Sequence, residues 1–126
     1  MNDEKIILLA DDDFDYLFQM RFKLENAGYK VISASSQKEA EELIENSYFD
    51  AAIFDLMMEN DDSGFVLSYK TKKKNNSIPV IIATAVTSET GISFDKNTEW
   101  VKADAFLEKG VEVEKITEIL NKYLNI

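Results

Sequence analysis

Five apolar runs of strand length divide the chain, and stretches with helical spacing lie between them. Lys5 to Ala10 (KIILLA) is continuously apolar after its first residue, as suits a strand covered on both faces. Tyr29 to Ala34 (YKVISA) alternates and reads as a second strand. Ala51 to Phe54, Pro79 to Ala83 and Ala105 to Leu107 read as the third, fourth and fifth. Between the first two, Asp15 to Ala27 reads as a helix with Leu17, Met20, Leu24 and Ala27 on one stripe, stopped by Gly28. Ser36 and Glu39 have capping-box spacing and open a helix to about Asn46, with Ala40, Leu43 and Ile44 facing inward. Gly64 to Lys74 reads as a third helix, and its Lys70, Lys72, Lys73 and Lys74 suit the negative helix end. The stretch 87–103 has the weakest pattern, a loop and a short helix near Asn97 to Ala103. Val113 to Leu124 reads as the last helix, with Ile116, Ile119, Leu120 and Tyr123 on one side.

Repeated β-α alternation predicts an α/β fold, a doubly wound five-stranded parallel sheet flanked by five helices. A length of 126 residues suits one domain over 1–126, and only Asn125 and Ile126 follow the last predicted helix. In such a sheet the carboxyl ends of the strands share one edge, where ligands bind. Asp11, Asp12 and Asp13 follow the first run, Asp55 the third and Thr84 the fourth; Lys109 comes just after the fifth. Residues about a hundred positions apart therefore converge on one pocket. Asp13 reads as the cap of the first helix. Asp61 and Asp62 read as solvated loop residues.

Composition removes several chemistries. The chain has no cysteine and no histidine, so thiolate and imidazole chemistry must come from a partner. Fourteen Lys and Arg against 24 Asp and Glu leave a net charge of −10, which argues against direct nucleic-acid binding. Apolar runs are far shorter than the roughly 20 residues that span a bilayer. The N-terminus lacks a signal-peptide core, so a soluble cytoplasmic protein is expected.

Crowded carboxylates repel, and a hard divalent cation relieves the repulsion; oxygen ligands favour Mg²⁺. A carboxylate beside that ion can act as nucleophile towards a phosphoryl group. Lys109 and the Thr84 hydroxyl would then meet phosphoryl oxygens. Two other acidic motifs begin in the same triplet. The Asp11-x-Asp13-x-Asp15 spacing fails as a calcium loop, because Tyr16 and Phe22 stand where Gly and Glu are required. A small aspartate-nucleophile phosphatase of the haloacid-dehalogenase type shares the DxD start. However, Asp15 stands where Thr or Val is usual, and no acidic strand-end pair follows Lys109.

The segments IILLADDDFD, AAIFDLMM, SGF, PVIIATA and AFLEK, in this order, resemble the receiver domain of two-component response regulators, a chemotaxis-regulator-like, flavodoxin-like fold. The resemblance implies a phosphorelay protein. Asp55 would be phosphorylated by a partner's phosphohistidine, on a histidine kinase or phosphotransfer protein. Mg²⁺ would be held by Asp11, Asp12, Asp55 and the Met57 carbonyl, and Thr84 and Lys109 would bind the phosphoryl group. Phe106 would change rotamer as Thr84 moves. The surface of the fourth predicted helix, fifth strand and final helix would then change its affinity for a downstream protein. The chain would catalyse only its own phosphorylation and dephosphorylation. Met57 and Val86 resemble the residues beside the path of hydrolytic water. Neither side chain can orient a water by hydrogen bonding, which implies a long-lived phosphoryl group.

Four positions depart from the family pattern. Glu59 stands where Pro is usual, and Gly64 lies nine residues after Asp55 rather than eight. The span from Thr84 to Lys109 is lengthened, and Gly110 replaces the Pro after the lysine. The first three put the loop geometry and the switch surface in question. A cis bond before Gly costs roughly 2.5–4 kcal/mol, so a trans Lys109–Gly110 bond is expected. The sequence is also compatible with two further readings: a degenerate receiver acting as a constitutive interaction module, and a domain of a longer regulator.

Overall fold

The structure, a computed structural model, describes residues 4–60, 62–84, 103–110 and 112–124. Its elements run β1 (Ile6–Ala10), α1 (Phe14–Asn26), β2 (Lys30–Ala34), α2 (Gln37–Asn46), β3 (Ala51–Asp55), α3 (Ser63–Lys74), β4 (Val80–Thr84), β5 (Ala105–Glu108) and α4 (Val113–Leu124). All strand pairs are parallel, in the order β2-β1-β3-β4-β5. The short helix expected near Asn97, together with Asp61 and Val86, lies outside the described residues. Four helices are therefore seen among the described residues where five were predicted.

The continuous apolar runs form strands because both sheet faces are covered. Side chains alternate between the two layers. Ile7, Leu9, Ile53, Ile81 and Ala83 pack with Leu17, Met20 and Leu24 of α1 and Ile116 and Leu120 of α4. Leu8, Ala10, Ala52, Phe54, Val80 and Ile82 pack on the other face with Ala40 and Ile44 of α2 and Leu67 of α3. Burying each of these Leu, Ile and Phe side chains contributes about 1.5–3 kcal/mol, so the alternation on β1, β3 and β4 fixes the register.

Several local expectations need correction. Ala27 is exposed, because α1 ends at Asn26 and the chain turns through Gly28 at φ +99°. Ser36 accepts from the Glu39 amide as a cap should, at 3.0 Å. Glu39, however, reaches back to the Ser35 amide (2.6 Å), so the box closes one residue earlier than read. The lysines of α3 reach beyond their own helix end. Lys74 donates to the Ile44 carbonyl, and Glu45 O is 3.2 Å away, so it caps α2 instead. Lys72 pairs with Asp104 at 2.6 Å and donates to Ile78 O. Lys70 lies 3.6 Å from Glu41. On α1 the stripe Phe14, Phe18 and Phe22 points away from the core and stays mostly exposed.

Candidate functional site

β1 and β3 lie side by side at the sheet's centre, while β2 lies beyond β1 and β4 beyond β3. The chain therefore leaves β1 and β3 in opposite directions along the sheet, which opens a crevice at their carboxyl ends. Asp11 continues β1, its amide donating to Ala34 O at 3.1 Å, and its carboxylate is buried. Asp11 Oδ1 accepts the Asp13 amide at 2.9 Å, which fixes the carboxyl orientation. Asp13 accepts the Asp15 and Tyr16 amides and caps α1, as expected. Asp12, between them, is exposed. Asp55 ends β3 and is only 7% exposed.

Carboxylate oxygens of Asp11, Asp12 and Asp55 all lie within 4.8 Å of one another. That spacing, with two of the three groups buried, suits a hard cation with oxygen ligands. A second observation supports the fit: the buried Asp11 Oδ2 already faces a cation, Lys109 Nζ at 2.5 Å.

Thr84 ends β4 and is buried; the Lys109 amide donates to Thr84 O at 2.8 Å, so the two residues lie side by side at the carboxyl edge. Lys109 Nζ also stands 3.2 Å from Asp55 Oδ1. Burial works to lower the Lys109 pKa, but the adjoining Asp11 and Asp55 carboxylates outweigh it, and the ammonium is held charged above its ordinary value. Asp55 is pushed up to about 6, first by burial and then by the charge of Asp11, with Lys109 opposing. The peptide after Lys109 is trans, as expected, and Gly110 takes φ +98°. A residue with a side chain would be strained there.

Sequence reasoning missed Tyr16. Lys109 Nζ sits 4.7 Å from the centre of its ring, a cation–π distance. Burial, then the charges of Asp11 and Asp55, push the Tyr16 hydroxyl up to about 12. The available signal was its place in the first turn after the acidic triplet.

The loop after Asp55 is closely built. The Gly64 amide donates to Leu56 O at 2.8 Å. A Cβ on Gly64 would come 2.7 Å from Asp55 O and 2.8 Å from Leu56 Cα, so only glycine allows this approach. The added residue in the loop is thus absorbed before Gly64, which still closes on the strand. Met57 is exposed beside the crevice. Phe106 is half-buried, edge-on to Phe65 with ring centres 6.5 Å apart.

A doubly wound α/β domain with its acidic crevice at the switch point is the class that fold and geometry define. Residues 7–121 match the family described as the response regulator receiver domain, and the chain belongs to that family, a component of two-component systems. It is 31% identical over 121 residues to the transcriptional regulatory protein ZraR of Escherichia coli (strain K12), covering 94% of this chain and 26% of that one. It is 31% identical over 117 residues to the transcriptional regulatory protein RprY of Bacteroides fragilis (strain YCH46), covering 91% of this chain and 48% of that one. The chain thus spans less than half the length of either relative. Among solved structures, a CheY-like receiver domain protein from Methanospirillum hungatei JF-1 superposes with a TM-score of 0.83 at 28% identity, covering 98% of this chain and 95% of that one. No helix among the described residues is long and apolar enough to cross a membrane.

Proposed function

We propose that residues 1–126 act as one receiver domain that accepts a phosphoryl group on Asp55 from the phosphohistidine of a histidine kinase or phosphotransfer protein. The observation that carries this reading is the convergence of Asp11, Asp12 and Asp55 within 4.8 Å, with Lys109 Nζ 3.2 Å from Asp55 Oδ1. An Asp55 carboxylate oxygen forms the new bond to phosphorus as the phosphorus–nitrogen bond to the donor breaks. The electron pair stays on the imidazole nitrogen. Asp11 Oδ1 is committed to the Asp13 amide, whereas Asp55 ends β3 with Lys109 Nζ 3.2 Å from its Oδ1. Lys109 can turn an N–H from Asp11 towards a phosphoryl oxygen, and the buried Thr84 hydroxyl can donate to another. Asp11, Asp12, Asp55 and the Met57 carbonyl would hold Mg²⁺, which when bound neutralises charge on the carboxylates and phosphoryl oxygens.

The output is a changed affinity for a downstream protein. Phe106, packed edge-on against Phe65, is the aromatic that would follow Thr84. A net charge of −10 supports protein rather than direct nucleic-acid contact, and a cytoplasmic setting matches the composition. The test is intact mass after incubation with acetyl phosphate or phosphoramidate. One hydroxylamine-labile phosphoryl group should appear with Mg²⁺ and be lost in chelator or in Asp55→Asn. Equal labelling of Asp55→Asn would sink the proposal.

A further inference from the structure

The residue that departs most from the family pattern near the acceptor, Glu59, occupies a defined position. Its carboxylate accepts the Gln37 amide at 2.9 and 3.0 Å, at the first residue of α2. That amide is one of the donors a helix start leaves unpaired, and a carboxylate there also meets the positive helix end. The Gln37 side chain returns the contact. Its Oε1 accepts from the buried Ser63 hydroxyl at 2.7 Å and from Asn60 Nδ2 at 3.1 Å. Its Nε2 donates to Glu41 Oε2 at 2.9 Å, which settles the amide orientation. The Asn60 amide in turn donates to Ser63 Oγ (3.1 Å), and the Met58 amide donates to Asn60 O (3.2 Å). Gln37 is thus gripped from both sides by the loop that follows Asp55.

We infer that Gln37 and Glu59 are positioning residues that fix the turn carrying the Met57 carbonyl and so set the affinity of the acidic crevice for its cation. This rests on the proposed reading of Met57 as a backbone ligand. A carbonyl on an unrestrained, lengthened loop would have to be ordered when the ion binds, whereas the clasp orders it beforehand. The clasp takes the part of the usual Pro, replacing a fixed φ by a tether to α2. It also ties the start of α2 to site occupancy, since whatever loosens the clasp loosens the ligand turn.

The test uses the whole chain and MgCl₂ titrated by calorimetry, with thermal melts in EDTA beside it. Glu59→Ala and Gln37→Ala should each weaken Mg²⁺ by about tenfold, the low end for outer-shell partners of a metal site. The double variant should be little weaker than the weaker single, because Glu59→Ala frees the turn from the Gln37 amide and Gln37→Ala frees it from the Gln37 side chain, and either opening releases the same turn. Glu59→Gln keeps an acceptor for the Gln37 amide and should stay within about twofold of wild type. Three results would overturn the inference. One is unchanged Mg²⁺ affinity in Glu59→Ala with only the EDTA melt lowered, which is a merely structural role. Another is Glu59→Gln as weak as Glu59→Ala, which is charge rather than position. The third is independent, additive losses from Glu59 and Gln37. No Mg²⁺ binding by wild type would instead bring down the proposed metal site itself, so the two failures are distinguishable.

Discussion

At the amino edge of the sheet, Asp50 and Asp104 make the same reciprocal pair with the neighbouring strand. Asp50 donates its amide to Ile6 O (2.7 Å) and accepts the Ile6 amide on Oδ2 (2.8 Å). Asp104 donates to Val80 O (2.8 Å) and accepts the Val80 amide on Oδ2 (2.8 Å). Each carboxylate takes up a strand-start amide that would otherwise lack a sheet partner. Both have further partners, the Tyr48 hydroxyl for Asp50 and Lys72 for Asp104. At the carboxyl edge Asp11, Asp12 and Asp55 instead crowd one another. The same side chain is therefore a backbone acceptor before a strand and one of a crowded set of carboxylates after one. What separates the two is that each carboxylate before a strand has donors of its own, whereas those after one face each other and two of them share Lys109.

The largest effect should come from the amino edge. Asp104→Ala removes the acceptor of the Val80 amide and the partner of Lys72, whose side chain is mostly buried. It should cost about 3 kcal/mol in urea melts, since groups left unpaired carry their full desolvation penalty. Asp50→Ala should cost about 2 kcal/mol by the same reasoning. A loss under half of either figure would break the contrast between the edges.

Next comes Mg²⁺ at the carboxyl edge. At about ten times its dissociation constant it should stabilise wild type by about 1.4 kcal/mol, by mass action. Asp12→Ala should lose most of this gain. A melting temperature indifferent to millimolar Mg²⁺ would count against a metal site.

Asp55→Asn should stabilise the chelated protein by about 1 kcal/mol, after discounting a two-unit pKa shift for solvent at the rim. The sign follows from linkage. Folded Asp55 titrates near 6 against 3.8 ordinarily, so between those values the folded state binds more protons. Its contribution is fully present below about 3.8 and is lost as pH rises through about 6. Melts in chelator from pH 4 to 7 should show that decline in wild type and a smaller one in Asp55→Asn. The opposite ranking would mean that Lys109 outweighs burial and Asp11.

The smallest effect belongs to a position on neither edge. Phe18 on α1 is 73% exposed, and Phe18→Ser should shift stability by no more than about 0.5 kcal/mol. A larger loss would show that this outward stripe contributes to folding.

The difference between the edges was half legible in the chain itself. Asp11, Asp55 and Thr84 come after apolar runs, and Asp50 and Asp104 come before them. In an all-parallel sheet, before and after a run mean opposite edges, so the polarity of each aspartate could be read without coordinates. The capping role of Asp13 was equally local. Element boundaries held within one or two residues because period and burial are properties of short segments. The count of helices depends on 87–103, where the periodicity is weakest.

What the sequence by itself determined is the order of elements, the alternation that covers both sheet faces, and the set of residues at the carboxyl ends. Each follows from the two-residue period of strands and from runs too apolar to leave in water. Tertiary structure decided who meets whom across the layers. It set Tyr16 beneath Lys109, turned Lys74 to the end of α2, moved the partner of Glu39 from Ser36 to Ser35, and gave Glu59 the Gln37 amide. Long polar side chains have several partners within reach, and no local pattern ranks them. The ranking comes from which helix end the packed layers bring nearby, and that is known only once the sheet has set the distance between them.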